Sequence, residues 1–239
     1  MKVSICFIGT GKYLNFLPKY YENINEYFLP EAEKTFLVFT DGELNDTPDD
    51  IITYHQEHLE WPFITLNRFE IIQKAREEIE KNDWFVFIDA DALVVDKITE
   101  EKFFDETKPF FGVHHPCHFL KMPPHNKFPG SLETNPLSKA CVDEDADFSV
   151  YYQGCLWGGK VPDILNMMEE LDKRTKDDLS REVVAVWHDE SHLNKFFIEN
   201  KDSVNVLGPE YAYPEVFAGY CEFEPRIVHL AKDNSKYHK

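Results

Sequence analysis

The sequence predicts an α/β fold in which helices flank a central, mostly parallel sheet. Strand-like and helical segments alternate along residues 2–88 in the order strand, helix, strand, strand, helix, strand. Within that region, Trp84–Ile88 is a run of apolar residues with no alternation, which is typical of a strand covered on both faces at the centre of a parallel sheet. Together these observations predict a sheet layered between helices.

The elements of the first half are marked by their apolar pattern and by the turn residues between them. Gly9-Thr10-Gly11 and Asp41-Gly42 each follow an apolar run, and Pro30 follows a segment with leucines and aromatic residues at helical spacing. The segment 65–81 has one apolar stripe and one charged face, as an amphipathic helix does. The predicted strands are 2–8, 35–40, 51–54 and 84–88, and the predicted helices are 14–28 and 65–81.

The second half is predicted to contain fewer regular elements. Its first strand is followed by a proline-containing loop over 115–148, and Gly158-Gly159 is expected to break the next strand. Pro162 is placed in the first turn of a helix, and the polar, basic tail from Lys232 is expected to be mobile. The predicted strands are 110–114 and 151–157, and a last helix is predicted over 189–200.

Composition limits the partners of this chain. It has 239 residues, with Lys+Arg 25 against Asp+Glu 44, so its formal net charge is −19. This length suits one large domain or two small, interlocked ones. The acidic surface would repel a nucleic-acid backbone or an anionic membrane. We therefore expect no nucleic-acid partner, and any phosphate-bearing ligand must be received by a metal ion or a few local cations.

The ends of the chain and its cysteines predict a cytoplasmic protein. The apolar run before Gly9 is too short for a membrane span and lacks a signal-peptide cleavage pattern, so no integral membrane segment is expected. An odd number of scattered cysteines without a CxxC pair argues against a disulfide framework and favours a reducing compartment. The cysteines are Cys6, Cys117, Cys141, Cys155 and Cys221.

Asp89-Ala90-Asp91 directly follows the predicted central strand. Ligands of open α/β sheets bind at the carboxyl ends of strands, and side chains two residues apart on a strand point the same way. Two carboxylates placed so can hold a divalent cation, and the cation can hold a diphosphate. The simpler interpretation is a pair of solvated turn aspartates, which the preceding apolar run makes less favourable.

Two enzyme classes use carboxylates in this pattern. One has the DXD motif of nucleotide-sugar glycosyltransferases, and the other has the nucleophilic DxDx(T/V) motif of haloacid-dehalogenase-like phosphatases. The phosphatase motif sits on the first strand and continues with Thr or Val. Here the motif follows about the fourth strand and continues with Ala92-Leu93, so position and sequence favour the glycosyltransferase.

A second group of titratable residues precedes the last predicted helix, in Trp187-His188-Asp189-Glu190. Carboxylates at a helix N-terminus are stabilised by the helix dipole, so Asp189 or Glu190 can be simple capping residues. The alternative is a carboxylate placed beside the anomeric carbon of a sugar, where it stabilises positive charge or attacks covalently. His188 and His192 lie four residues apart but do not form the HExxH zinc motif.

Two other polar clusters are not expected to hold a metal ion. His114, His115, Cys117 and His118 are adjacent at a strand end, where they cannot all converge on one zinc ion. The acidic run at 143–147 is interpreted as a solvated loop.

Several segments taken together resemble glycosyltransferase family 6, which contains the blood-group A and B transferases and the α1,3-galactosyltransferases. The matches occur in the family's order over most of the chain, and the segment WHDESHLNKFF is the most specific of them. The matching segments are Phe7–Tyr13, Val38–Asp41, Trp61-Pro62 with Thr65–Phe69, FIDAD, His115-Pro116, Tyr151-Tyr152 with Gly158-Gly159, and Trp187–Phe197.

The resemblance implies a GT-A fold, a UDP-hexose donor, an oligosaccharide or glycan acceptor, and transfer of galactose or N-acetylgalactosamine with retention in α1,3 linkage. It also implies a metal, expected to be manganese, held by Asp89 and Asp91, with Glu190 as the catalytic carboxylate. Acceptor contacts are implied for His115 and Trp187. The implied donor-binding residues are Phe7, Ile8, Tyr13, Arg68, Asp89, Asp189 and Lys232.

The chain departs from the animal members of that family in two ways. It starts at the first strand, as the short microbial forms do, without an anchor and stem. In the stretch that sets donor choice, Gln153 and Cys155 match neither the usual galactose nor the usual N-acetylgalactosamine pattern, so the donor sugar stays open and includes glucose.

We therefore expect a single GT-A catalytic domain over 1–239, with a nucleotide-binding half at 1–95, an acceptor and catalytic half at 96–231 and a mobile tail at 232–239. The alternatives are a haloacid-dehalogenase-like phosphatase that uses Asp89 and a non-catalytic carbohydrate-binding protein.

Overall fold

The fold was analysed in a computed structural model, which describes residues 1–120, 131–143, 145–146, 149–220, 222–233 and 237. Among the described residues, the main strands are β1 Lys2–Ile8, β2 Glu33–Thr40, β3 Ile51–His55, β4 Trp84–Ile88, β5 Ala92–Val94, β6 Phe110–His114, β7 Tyr152–Lys160, β8 Val204–Leu207, β9 Tyr213–Pro214 and β10 Ile227–His229. The α-helices are α1 Leu17–Tyr27, α2 Phe63–Leu66, α3 Arg68–Gln73, α4 Arg76–Ile79, α5 Glu100–Phe103, α6 Pro116–Phe119, α7 Asp163–Ser180 and α8 His188–Glu199.

A mostly parallel sheet forms the centre of the molecule, as predicted. Its strand order is β3-β2-β1-β4-β7-β6-β8. The pairs β3–β2, β2–β1, β1–β4 and β6–β8 are parallel, whereas β7 is antiparallel to both of its neighbours. A smaller sheet has the order β5-β10-β9 and brings the C-terminal segment beside the end of β4.

The central strands are apolar throughout because helices or loops cover both faces of the sheet. On β4, Trp84, Val86 and Ile88 belong to a core cluster that includes α1, while Phe85 and Phe87 belong to a second cluster that includes α3, α7 and α8. This arrangement confirms the prediction of a doubly covered central strand and fits the burial expected of parallel sheets.

The glycines predicted to break a strand instead lie inside β7. A Cβ atom on Gly158 would lie 2.1 Å from the carbonyl oxygen of Phe85, and one on Gly159 would lie 2.4 Å from that of Pro109. Each position therefore needs glycine because neighbouring backbone passes too close for a side chain. The prediction of a break was wrong: the glycines permit close strand packing, a role that glycine also has in sheets.

The segment predicted as one helix over 65–81 is divided into α2, α3 and α4. Asn67 separates the first two, and its side-chain amide donates to the carbonyl of Phe63 at 2.9 Å. Asparagine side chains that bind nearby backbone compete with regular helix hydrogen bonding. The apolar stripe is nevertheless kept, with Phe69, Ile72 and Ile79 buried.

The described helices include none with the length and apolar character that a membrane crossing requires.

Candidate active site

The carboxyl ends of β1 and β4 open into a cleft with about 840 Å³ of empty space, here called the first cleft. Parallel strands end at the same edge of the sheet, so the residues after β1 and after β4 face one another. Its lining includes Ile8, Thr10, Tyr13, Asp89, Asp91 and Lys232.

The residues predicted to contact a nucleotide take different positions around the first cleft. Ile8 and Tyr13 line it, and the Lys232 ammonium lies 5.3 Å from the centre of the Tyr13 ring. The side chain of Phe7, in contrast, is fully buried, with its ring 5.0 Å from that of Tyr20. Strand alternation turns the Phe7 side chain into the core and Ile8 to the opposite face, and the donor contact of Phe7 stays a prediction.

The aspartates of the DXD motif are surrounded by positively charged or ionisable neighbours. The Arg68 guanidinium lies 3.4 Å from Asp89, and the Lys232 ammonium forms an ion pair with Asp91. Nδ1 of His229 lies 3.8 Å from Asp91. Burial favours the neutral form of Asp91, but His229 and Lys232 outweigh it and hold the pKa of this carboxyl below its ordinary value.

His229 was not singled out from the sequence. It is the last residue of β10 and lies opposite Ala92 in the register with β5, while the Leu230 amide donates to the carbonyl of Asp91 at 3.0 Å. A three-residue strand near the end of the chain gives no pattern that would assign it a partner. Only the pairing of β10 with β5 shows that the histidine faces the DXD motif.

The residues at this point fit a divalent metal ion. Asp89, Asp91 and His229 each offer a ligand atom, and these three atoms lie within 4.8 Å of one another. Nε2 of His229 is buried and has no hydrogen-bond partner in the part of the chain that is described. Two carboxylates with an imidazole form a donor set suited to Mn²⁺ and other first-row divalent cations.

The second cleft adjoins the first and has about 1040 Å³ of empty space. The two clefts share Trp61, Thr65, Arg68 and Asp89 in their lining, so a ligand in one lies next to a ligand in the other. The residues that line only the second cleft include His115, Gln153, Trp187, Asp189 and Glu190.

Glu190 is held rigidly in the first turn of α8. Its two carboxylate oxygens accept hydrogen bonds from the Tyr151 hydroxyl and the Gly154 amide, each at 2.7 Å. Burial raises the pKa of Glu190 to about 7, although both hydrogen bonds act in the opposite direction. A Cβ atom on Gly154 would lie 3.3 Å from Cβ of Glu190, so this glycine lets the strand approach the carboxylate closely.

Asp189 and Arg68 form a buried ion pair between the clefts. The guanidinium lies 2.7 Å from Asp189, donates to the Gly154 carbonyl at 2.7 Å and stacks 4.2 Å above the ring of Phe87. Burial raises the pKa of Asp189 to about 6 even though Arg68 favours its ionised form. Because Arg68 also contacts Asp89, it connects the DXD motif to the residues at the start of α8.

The predicted acceptor residues both face the second cleft. His115 is only 4% exposed, and its Nδ1 accepts a hydrogen bond from the Cys117 amide at 3.1 Å. Burial lowers the pKa of His115 to about 3, with His118 and His114 acting in the same direction, so this side chain is neutral. The Trp187 amide donates to the Ser191 hydroxyl at 2.9 Å, which fixes the backbone at the start of α8.

The histidine pairs considered from the sequence do not assemble metal sites within the described ranges. His192 is fully buried 3.7 Å from Asp178, whereas the ring of His188 packs edge-on against Trp61. His114 contacts His118 at 2.8 Å between ring nitrogens. Of the acidic run at 143–147, residues 144 and 147 lie outside the described residues.

Almost the whole chain is similar to known glycosyltransferases. A family model for glycosyltransferase family 6 matches residues 1–236. The chain is 30% identical over 224 residues to the O-antigen biosynthesis glycosyltransferase WbnI of Escherichia coli, with 91% of this chain and 90% of that protein covered. It is 26% identical to rat histo-blood group ABO system transferase 2, with 96% of this chain and 68% of the relative covered. Mouse globoside alpha-1,3-N-acetylgalactosaminyltransferase 1 is 28% identical, with 90% and 62% covered.

Proposed function

Because this chain belongs to glycosyltransferase family 6, we propose that it transfers galactose or N-acetylgalactosamine with retention from a UDP-sugar to a glycan hydroxyl in α1,3 linkage, assisted by a divalent metal. The observation that carries this proposal is the pair of adjoining clefts, with Asp89 and Asp91 in the lining of the first and Asp189 and Glu190 in the lining of the second. One cleft is suited to the nucleotide and the other to the acceptor.

The first cleft supplies the groups that a UDP-sugar requires. Asp89 and Asp91 would hold a divalent cation, which we propose is manganese, and this cation would neutralise the departing diphosphate. Lys232 lies on the same side and adds a positive charge next to the diphosphate position. Ile8 and Tyr13 offer apolar and aromatic surface for the nucleoside. An acidic protein thereby binds an anionic donor through a small number of local cations.

The second cleft supplies the groups that act at the transferred sugar. Glu190 lines this cleft, and its carboxylate would stabilise positive charge at the anomeric carbon or form a transient covalent bond. Arg68 and Asp189 would position the donor sugar, since Arg68 lines both clefts and pairs with Asp189 at 2.7 Å. His115 and Trp187 would contact the acceptor. In this proposal the nucleotide-binding half is 1–95, and the acceptor and catalytic half is 96–231.

The two alternative functions are not favoured. A haloacid-dehalogenase-like phosphatase needs Asp89 as a free nucleophile, whereas here this residue lies 3.4 Å from the Arg68 guanidinium in a chain that belongs to another family. A non-catalytic carbohydrate-binding protein has no use for a buried carboxylate such as Glu190.

The proposal is tested by incubating the protein with UDP-galactose, UDP-N-acetylgalactosamine or UDP-glucose, with Mn²⁺ or with excess chelator. We expect UDP release and glycan transfer from one of the first two donors in Mn²⁺, and proton coupling constants of an α-linked product. Glu190→Gln is the matched control and should be inactive. Full activity in chelator would exclude the metal, and release of phosphate from simple esters without turnover of any UDP-sugar would exclude the transferase.

A further inference from the structure

We propose that His229 is a third protein ligand of the metal ion, beside Asp89 and Asp91, so that the metal site of this chain is an Asp-Asp-His site. This inference rests on the proposed use of Mn²⁺ at the DXD motif. It goes beyond the motif because the histidine comes from the opposite end of the chain and is brought there by β10.

The position of His229 is fixed by backbone pairing on both sides. Val228 and His229 pair with Leu93 and Ala92 on β5, directly after the DXD motif. On the other edge, β10 pairs with β9. A side chain held in a sheet between two strands keeps its orientation with little loss of entropy when a ligand binds, which is what a metal site requires.

The distances suit a shared ion better than a hydrogen bond. Nδ1 of His229 lies 3.8 Å from Asp91, which is longer than a hydrogen bond. Two ligands that bind one ion at about 2.1 Å can be up to about 4.2 Å apart. The three ligand atoms lie within 4.8 Å of one another. Small side-chain rotations, which shift a ligand atom by about 0.6 Å, would therefore bring all three onto one ion.

The chemistry of the site also favours the histidine as a ligand. Its Nε2 is buried and has no partner at hydrogen-bond distance among the residues described, while Cys155 and Asp91 interact with the imidazole. A nitrogen ligand as the third member would direct the site towards Mn²⁺ and other first-row cations and away from Mg²⁺ or Ca²⁺, which prefer oxygen ligands. The expected consequence is a preference for Mn²⁺ over Mg²⁺ that depends on His229.

The test is electron spin-echo envelope modulation spectroscopy of Mn²⁺ bound to the protein, with and without UDP. We expect modulation from a directly bound ¹⁴N nucleus, which changes to the ¹⁵N pattern when the protein is labelled with ¹⁵N-histidine. His229→Gln should remove the modulation and weaken Mn²⁺ affinity about 10-fold or more, with a smaller effect on Mg²⁺. His58→Gln is the control, since His58 also lines the first cleft but is outside the three-residue group.

A second variant distinguishes the loss of the nitrogen ligand from a change in folding. His229→Asp keeps a ligand at this position, so it should retain Mn²⁺ binding while losing the nitrogen modulation. Mn²⁺ bound to the wild-type protein without nitrogen modulation, or modulation that persists in His229→Gln, would overturn the role of His229 and leave the proposed function intact. Failure of the wild-type protein to bind Mn²⁺, even with UDP, would instead overturn the metal in the proposed function.

Discussion

Two acidic pairs line the adjoining clefts, and one of their members, Asp91, differs from the other three in its surroundings. Asp91 follows a strand and is met by His229 and Lys232, which hold its pKa below its ordinary value. Burial raises the pKa of Asp89, although Arg68 acts in the opposite direction. Asp189 and Glu190 begin a helix and are buried, so their pKa values rise to about 6 and about 7. Similar side chains thus acquire different chemistry from their environment.

This difference indicates that Asp91 and Glu190 have separate roles. A carboxylate whose ionised form is already favoured can exchange protein cations for a metal ion and its diphosphate. A carboxylate whose charge is destabilised by burial gains most when positive charge develops beside it, as it does at the anomeric carbon in the transition state. Arg68 contacts both pairs and keeps them in fixed relative positions.

The largest effect is expected for Glu190→Gln, which keeps the shape of the side chain but removes its charge. We expect kcat for transfer to fall by about 10³-fold while the affinity for UDP with Mn²⁺ stays unchanged, because the substitution acts in the transition state. Steady-state kinetics and calorimetric titration measure the two quantities. A matching loss of UDP affinity would mean that the two acidic pairs do not have separate roles.

The next effect is expected for Asp91→Asn. Loss of a metal ligand should weaken Mn²⁺-dependent binding of UDP and lower transfer by about 10²-fold, with the fold unchanged by circular dichroism. The control is Asp83→Asn, which removes a carboxylate that accepts from the exposed Lys2 amide far from the site. Transfer at the wild-type rate in Asp91→Asn would contradict the role of the DXD motif.

Arg68→Lys tests the connection between the two pairs. Lysine keeps the charge but cannot contact Asp89, Asp189 and the Gly154 carbonyl together, so kcat/KM should fall about 10-fold. The matched control is Arg76→Lys, since Arg76 is partly exposed and makes its ion pairs at the surface. Equal effects of the two substitutions would show that Arg68 contributes only charge.

The pH dependence of transfer should follow the ionisation of Glu190. The pKa of Glu190 is about 7, and the reaction needs its ionised form, so kcat should rise about tenfold between pH 6 and pH 8. Tyr151→Phe removes a hydrogen bond that favours the ionised form, and the rise should move to higher pH. A rate that is constant over this range, or a shift to lower pH in the variant, would contradict the role of Glu190.

The smallest effect is on stability. Because burial raises the pKa of Glu190 from 4.5 to about 7 in the folded protein, folding disfavours its ionised form. Its contribution to stability is greatest below pH 4.5 and is lost as the pH rises through about 7. Glu190→Gln cannot ionise and so avoids the destabilisation that a buried charge causes at high pH. It should raise Tm by about 2–4 °C at pH 8.5 and by less at pH 5, as measured by scanning calorimetry.

Local patterns were enough to predict β1 and β4, whose carboxyl ends open into the first cleft. The apolar run at Trp84–Ile88 predicted the central strand, and the polar residues after it predicted the position of the DXD motif. The helix at Asp189 was also predicted, with α8 beginning one residue earlier, at His188. These features depend on neighbouring residues, whose periodicity is visible in the sequence.

The features that the sequence did not show depend on contacts between distant segments. His229 reaches Asp91 only through the pairing of β10 with β5, and Gly158 is required by a backbone oxygen of a neighbouring strand. The resemblance assigned Arg68 to the donor, but its simultaneous contact with Asp89 and Asp189 needs the folded chain. The mobility expected of the tail remains a prediction, and so does the cytoplasmic location.

The most direct test of the separate roles of Asp91 and Glu190 is calorimetric titration of UDP. It is carried out on the wild-type protein, Asp91→Asn and Glu190→Gln, each with Mn²⁺ and with chelator. We predict that Mn²⁺ strengthens UDP binding to the wild-type protein and to Glu190→Gln alike, and that Asp91→Asn loses this gain. UDP binding that is equally tight in chelator would contradict these roles. So would a strengthening by Mn²⁺ that is lost in Glu190→Gln but kept in Asp91→Asn.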